Sequence, residues 1–127
     1  MRVLLRGRDC WTPPGSPAST EHLFHLWFYN QSDNPEPIDL TVDINGDEAA
    51  CFVFDSHSQL EAIRFDFALP SGSHVLRVST SSAELVEAIE VNAELWGIVD
   101  VAADPEDQST NLGLIVQDEP TVYDAEP

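Results

Sequence analysis

Histidines, acids and cysteines are the residues here with chemistry to offer, and their spacing decides what each can do. His22 and His25 are three apart. On a helix they would share a face and hold a metal ion together; on a strand they point to opposite faces and cannot. Their aromatic, apolar surroundings read as strand, so no metal site is expected. His57 falls in a loop. His74 falls in a turn, where it caps the turn or packs at the end of the fold. Asp43, Asn45 and Asp47 match the first three ligand positions of a calcium loop, but the later glycine and the distant glutamate are missing. Gly46 instead sits where a hairpin needs it. Asp104, Glu106 and Asp107 read as a solvated acidic loop. Cys10 and Cys51 are the only cysteines. They could form one bridge if they met in space, but residues 1–10 carry no export-type apolar segment, so both are expected as free, buried, inert thiols in the cytoplasm. There is no Gly-x-Ser-x-Gly elbow, no Gly-rich phosphate cradle and no Cys-x-x-Cys pair. The expectation is a protein that is not an enzyme and uses no cofactor.

The aromatic cluster Trp27, Phe28 and Tyr29 is the least ordinary feature. It reads either as a central strand covered on both faces or as an aromatic surface for self-association or for stacking a sugar or peptide. Trp27 and Tyr29 are the expected apolar anchors of a binding surface, with Asp39 and Asp43 as neighbouring outward acids. Trp96 reads as core and Trp11 as loop cover. The chain has 23 acidic residues against 5 basic ones, a formal charge of −18, and every basic residue is arginine. That balance excludes binding to nucleic acid through its phosphates. The acids either keep the protein soluble or form a face that recruits a basic partner, imitates a nucleic-acid backbone or binds cations. No apolar run approaches the roughly 20 residues that span a bilayer, so no membrane association is expected.

These residues must be positioned by short extended segments. Residues 3–5 read as an opening edge strand and residues 12–17 as a proline-rich loop. Residues 22–30 form the aromatic segment, and residues 31–37 a loop. Ile38, Leu40, Val42 and Ile44 alternate with Asp39, Thr41 and Asp43, the period of a half-buried strand. Asn45-Gly46 then marks a hairpin. A two-residue turn would send Ala49, Cys51 and Val53 inward. A three-residue loop with a glycine bulge would send Ala50, Phe52 and Phe54 inward, and is preferred because each buried large apolar side chain contributes about 1.5–3 kcal/mol. Residues 62–68 and 74–80 alternate again around Leu69-Pro70-Ser71-Gly72-Ser73. They read as a hairpin with Phe67 beside Leu76, Phe65 beside Val78 and Asp66 beside Arg77. Glu84–Val91 suits both a strand and two helical turns, and its shortness favours a strand. Residues 95–102 read as a buried strand, residues 104–110 as a loop and residues 112–117 as a last strand. Residues 118–127 read as a mobile acidic tail.

Seven to nine short strands with regular turns and no long helix predict one all-β domain over residues 1–117, an antiparallel β-sandwich, with a barrel as the alternative. The stretch Phe65-x-Phe67-x-Leu69-Pro70-x-Gly72-x-His74-x-Leu76-Arg77-Val78 resembles a signature of bacterial immunoglobulin-like sandwich domains: aromatic strand, Leu-Pro-x-Gly-x-His, strand. With the strand, Asn-Gly turn and strand of Ile38–Phe54 and residues 90–101, the resemblance spans about half the chain. It implies an immunoglobulin-like fold and a binding or assembly module, and it transfers no catalytic residue. The expected function is non-catalytic association with a protein partner, or with a second copy as a homodimer, through a sheet face or strand edge. The alternatives are an acidic inhibitor or immunity-type protein and a carbohydrate-binding module.

Overall fold

The computed structural model describes residues 2–5, 19–30, 38–54, 61–104 and 109–120. Among these residues nine strands run in chain order: β1 (Arg2–Leu5), β2 (Glu21–Asn30), β3 (Ile38–Ile44), β4 (Asp47–Phe54), β5 (Glu61–Pro70), β6 (Gly72–Ser79), β7 (Glu84–Val91), β8 (Leu95–Asp104) and β9 (Ser109–Gln117). They form a five-stranded sheet, β1-β5-β2-β8-β9, and a four-stranded sheet, β4-β3-β6-β7. Among the described residues each sheet ends in two edge strands, and neither sheet closes into a barrel. Among the described residues no helix is long and apolar enough to cross a membrane. The loops expected at residues 12–17 and 31–37, together with His57 and its loop, Trp11, Glu106, Asp107 and the tail beyond residue 120, lie outside the described residues.

One shared core joins the sheets. Phe24, Leu26 and Phe28 of β2 and Ile63, Phe65 and Phe67 of β5 face Leu40 and Val42 of β3, Phe52 of β4 and Leu76 and Val78 of β6. Phe28 and Phe65 from one sheet meet Phe52 from the other, with the Phe28–Phe52 ring centres 4.9 Å apart and their planes at 66°. This edge-on packing suits the ring quadrupoles.

The first hairpin combines the two geometries weighed from sequence. Ile44 pairs with Asp47 across a two-residue Asn45-Gly46 turn, whose φ angles of 55° and 87° only such residues adopt readily. The register then shifts: Asp43 opposes Glu48, but Val42 opposes Ala50. The additional residue is Ala49, a bulge in β4 rather than a longer loop. It is this bulge that turns Ala50 and Phe52 inward.

Two expectations are corrected. The sandwich is not wholly antiparallel, because β1 runs parallel to β5 and β2 parallel to β8. Nor do β5 and β6 form a hairpin. β5 lies between β1 and β2, whereas β6 lies between β3 and β7 in the opposite sheet. The chain crosses over at Ser71-Gly72, with Gly72 at a φ of 131°. Phe65, Phe67, Leu76 and Val78 are all core residues as expected, but they meet across the core instead of along a ladder. Alternation states which residues face inward; it does not distinguish a hairpin from a corner between two sheets. Arg77 accordingly bonds Asp43 at 2.9 Å and Glu84 at 2.5 Å, not Asp66.

His74 closes this corner. It is buried, its Nε2 lies 2.7 Å from the Pro70 carbonyl oxygen and its Nδ1 lies 2.8 Å from Asn45 Nδ2. The Nε2–H tautomer satisfies both contacts, donating to the carbonyl and accepting from the amide. The Asn45 side-chain oxygen accepts from Val75 N, and Asn45 N donates to Val75 O, both at 2.9 Å. The Asn-Gly turn and the Leu-Pro-x-Gly-x-His corner are thus pinned to one another.

Cys51 is disulfide-bonded, and the only other cysteine in the sequence is Cys10, which lies outside the described residues. The expectation of a free, buried thiol is therefore corrected. Cys51 is half-buried and alternates with inward Ala50 and Phe52, which turns it to the outer face of β4.

Candidate functional site

Two places combine exposed or charged groups with an unusual environment. The first lies on the outer face of the five-stranded sheet. Because β2 is flanked by β5 and β8, its outward residues acquire neighbours on both sides. His25 sits in register with Asp66 and Trp96, Trp27 with Arg64 and Ile98, and Tyr29 with Ala62 and Asp100. His25 is buried, with Nδ1 2.6 Å from Asp66 Oδ1 and Nε2 2.5 Å from Glu94 Oε2. Ionised carboxylates only accept, so both ring nitrogens donate and the ring is an imidazolium. Burial pulls its pKa down, but the hydrogen bonds it donates to Asp66 and Glu94 outweigh burial and hold it above the usual 6.5. The ring stacks on Trp96, centres 5.6 Å apart, and Asp66 also binds Arg64 at 3.0 Å. The Arg64 guanidinium lies 5.8 Å from the centre of the Trp27 ring.

A histidine acting as general base needs one nitrogen without a proton, and both nitrogens of His25 already serve carboxylates. The sequence reading considered His25 only against His22. Those two do diverge as expected, His22 Nε2 lying 2.9 Å from Ser71 Oγ. The link to Asp66 and Glu94 depends on which strands flank β2, and strand order is not written in spacing.

The second place is the open side of the sandwich. There β7 and β9, each a free edge of its own sheet, lie opposite one another. Between them runs a groove of about 390 Å³ with an apolar floor of Ile89, Leu95, Leu114 and Val116, bordered by Glu87, Glu90 and Asp118.

The four residues singled out from the sequence do not form one surface. Trp27 is 2% exposed, so it offers no ring face to a visitor. Tyr29 is half-buried beside it on the outer face of the five-stranded sheet. Asp39 and Asp43 alternate with the inward residues of β3 and so lie on the outer face of the other sheet, across the sandwich. Asp43 is engaged by Arg77. β2 is the central strand buried on both faces, with Phe24, Leu26 and Phe28 inward and His25 and Trp27 outward. Trp96 belongs to this outer face and is not part of the core. Among the described residues, no group of His, Cys, Asp and Glu is arranged to hold a metal ion.

No protein-family model matches the chain, and no curated protein matches it.

Proposed function

We propose that the chain is a non-catalytic binding module on an immunoglobulin-like sandwich, and that it takes a protein partner at the open side between β7 and β9. The observation that carries this reading is the groove itself, an apolar floor flanked by two strand edges that no other described strand pairs. Free edges are templates for another chain and are normally covered or defended by charge. A non-catalytic role is supported by the full occupation of both His25 nitrogens. The enclosed Trp27 ring favours this reading over carbohydrate binding, which needs a pair of exposed aromatics, although Tyr29 is only half-buried. The disulfide at Cys51 favours an oxidising compartment over the cytoplasm.

Selection of a displayed random-peptide library on the folded protein tests this. Ligands are expected to converge and to protect β7 and β9 amides from hydrogen exchange. Ligands that protect only the outer sheet faces, or no convergent ligand at all, would overturn the assignment.

A further inference from the structure

The four edge strands are not equally defended. β1 carries Arg2, β4 carries Asp47 and Glu48, and β7 carries Glu84, Glu87 and Glu90, whereas β9 reads STNLGLIVQ without a charge or a proline. β9 also exposes Ile115 at 58%. A strand edge of this kind, left open beside a groove, can accept main-chain hydrogen bonds from an added strand.

The surroundings of that edge specify the charge of what is added. Glu87, Glu90 and Asp118 border the groove, and among the described residues no basic side chain lines it. The candidate to neutralise them on β7's neighbour, Arg77, is committed to Asp43 and Glu84. Glu90 accepts a neutral hydroxyl, from Ser73 Oγ at 2.5 Å. A second copy of the chain is a poor occupant, since it would bring the same acids together in molecules that each carry −18.

Resting on the binding-module reading above, we propose that the occupant is an extended basic segment of a partner protein, added as a strand along β9. An extended chain places alternate side chains on opposite sides. The row that faces the groove would carry the lysine or arginine side chains, their methylene stems over Leu114 and Val116 and their charged ends at Glu87, Glu90 and Asp118.

Two peptides of about eight residues, an ordinary strand length, serve as probes: one alternates lysine with valine, the other glutamate with valine. Amide chemical shifts of the full chain are followed during titration with each. The lysine peptide is expected to shift β9 amides and to bind at least tenfold more tightly than the glutamate peptide. Its affinity is expected to fall about tenfold between roughly 20 and 200 mM salt, as the screening length shortens. Glu87→Arg with Glu90→Arg, both at exposed positions, is expected to abolish the preference while the spectrum stays folded; Asp118→Asn provides a milder second variant expected to weaken it. Equal binding of both peptides at β9 would overturn the basic-segment assignment and leave the open side as a binding site. Movement of neither β7 nor β9 amides would overturn both. A dimer formed through β9 in light scattering, displaced by neither peptide, would overturn the assignment in favour of a second copy.

Discussion

At the scale of single residues, two histidines perform opposite electrostatic work. His25 is held as a cation between two carboxylates, and the geometry around His74 fits a neutral ring between a carbonyl and an amide. Because the folded-state pKa of His25 is raised, its contribution to stability is complete below about pH 6.5 and is lost as the pH climbs through the raised value. His25→Gln is expected to cost about 2 kcal/mol at about pH 6, between the values typical of buried and exposed ion pairs. The loss should shrink on the alkaline side. Urea midpoints of both proteins at about pH 6 and pH 9 check this, and an equal loss at both would contradict the imidazolium assignment. Asn45→Gly keeps a residue tolerant of positive φ but removes the bonds to His74 and Val75. It is expected to cost about 1–2 kcal/mol, read from the same denaturation curves. The turn role of Asn45 was legible, because Asn-Gly between alternating runs is a local signal. Its role as a tie was not, since Val75 becomes its neighbour only through the pairing of β3 with β6.

At the scale of elements, the strands themselves are readable from alternation, while their partners are not. Ile38–Ile44 and Glu84–Val91 follow directly from the period-two pattern and from length. The β5–β6 corner does not, because a hairpin and a crossover bury the same faces of the same strands. The bulge at Ala49 was recoverable in effect, from the larger apolar area of Phe52, but not in position. Close packing leaves its own signature at Gly97 of β8, which pairs with Leu26 of β2. A Cβ there would lie 3.0 Å from Leu26 Cδ1 and 3.2 Å from Phe24 Cε1. Gly97→Ala is therefore expected to destabilise by about 1–3 kcal/mol, as overpacking of a filled core does. The same change at Gly113, where a Cβ would meet nothing within 4 Å, should be tolerated. A comparison of the two thermal midpoints checks the contrast.

At the scale of the whole molecule, a charge of −18 on a chain of 127 residues sets a repulsive background. Added salt screens it, so the thermal midpoint is expected to rise between roughly 10 and 500 mM sodium chloride. A midpoint that falls would mean that favourable ion pairs outweigh the repulsion. Reduction removes the covalent tie at Cys51 and is expected to cost about 2–4 kcal/mol. Parallel denaturation with and without reductant measures it. Neither the disulfide nor the open side was foreseeable from composition, because both depend on which surfaces the topology leaves at its margins. The central position of β2 has a further consequence, for the order of events in the cell. Residues 21–30 leave the ribosome before their ladder partners at residues 62–70 and 95–101. A nascent chain therefore carries this apolar ribbon unmatched until those strands follow, the interval in which a chaperone would have reason to hold it.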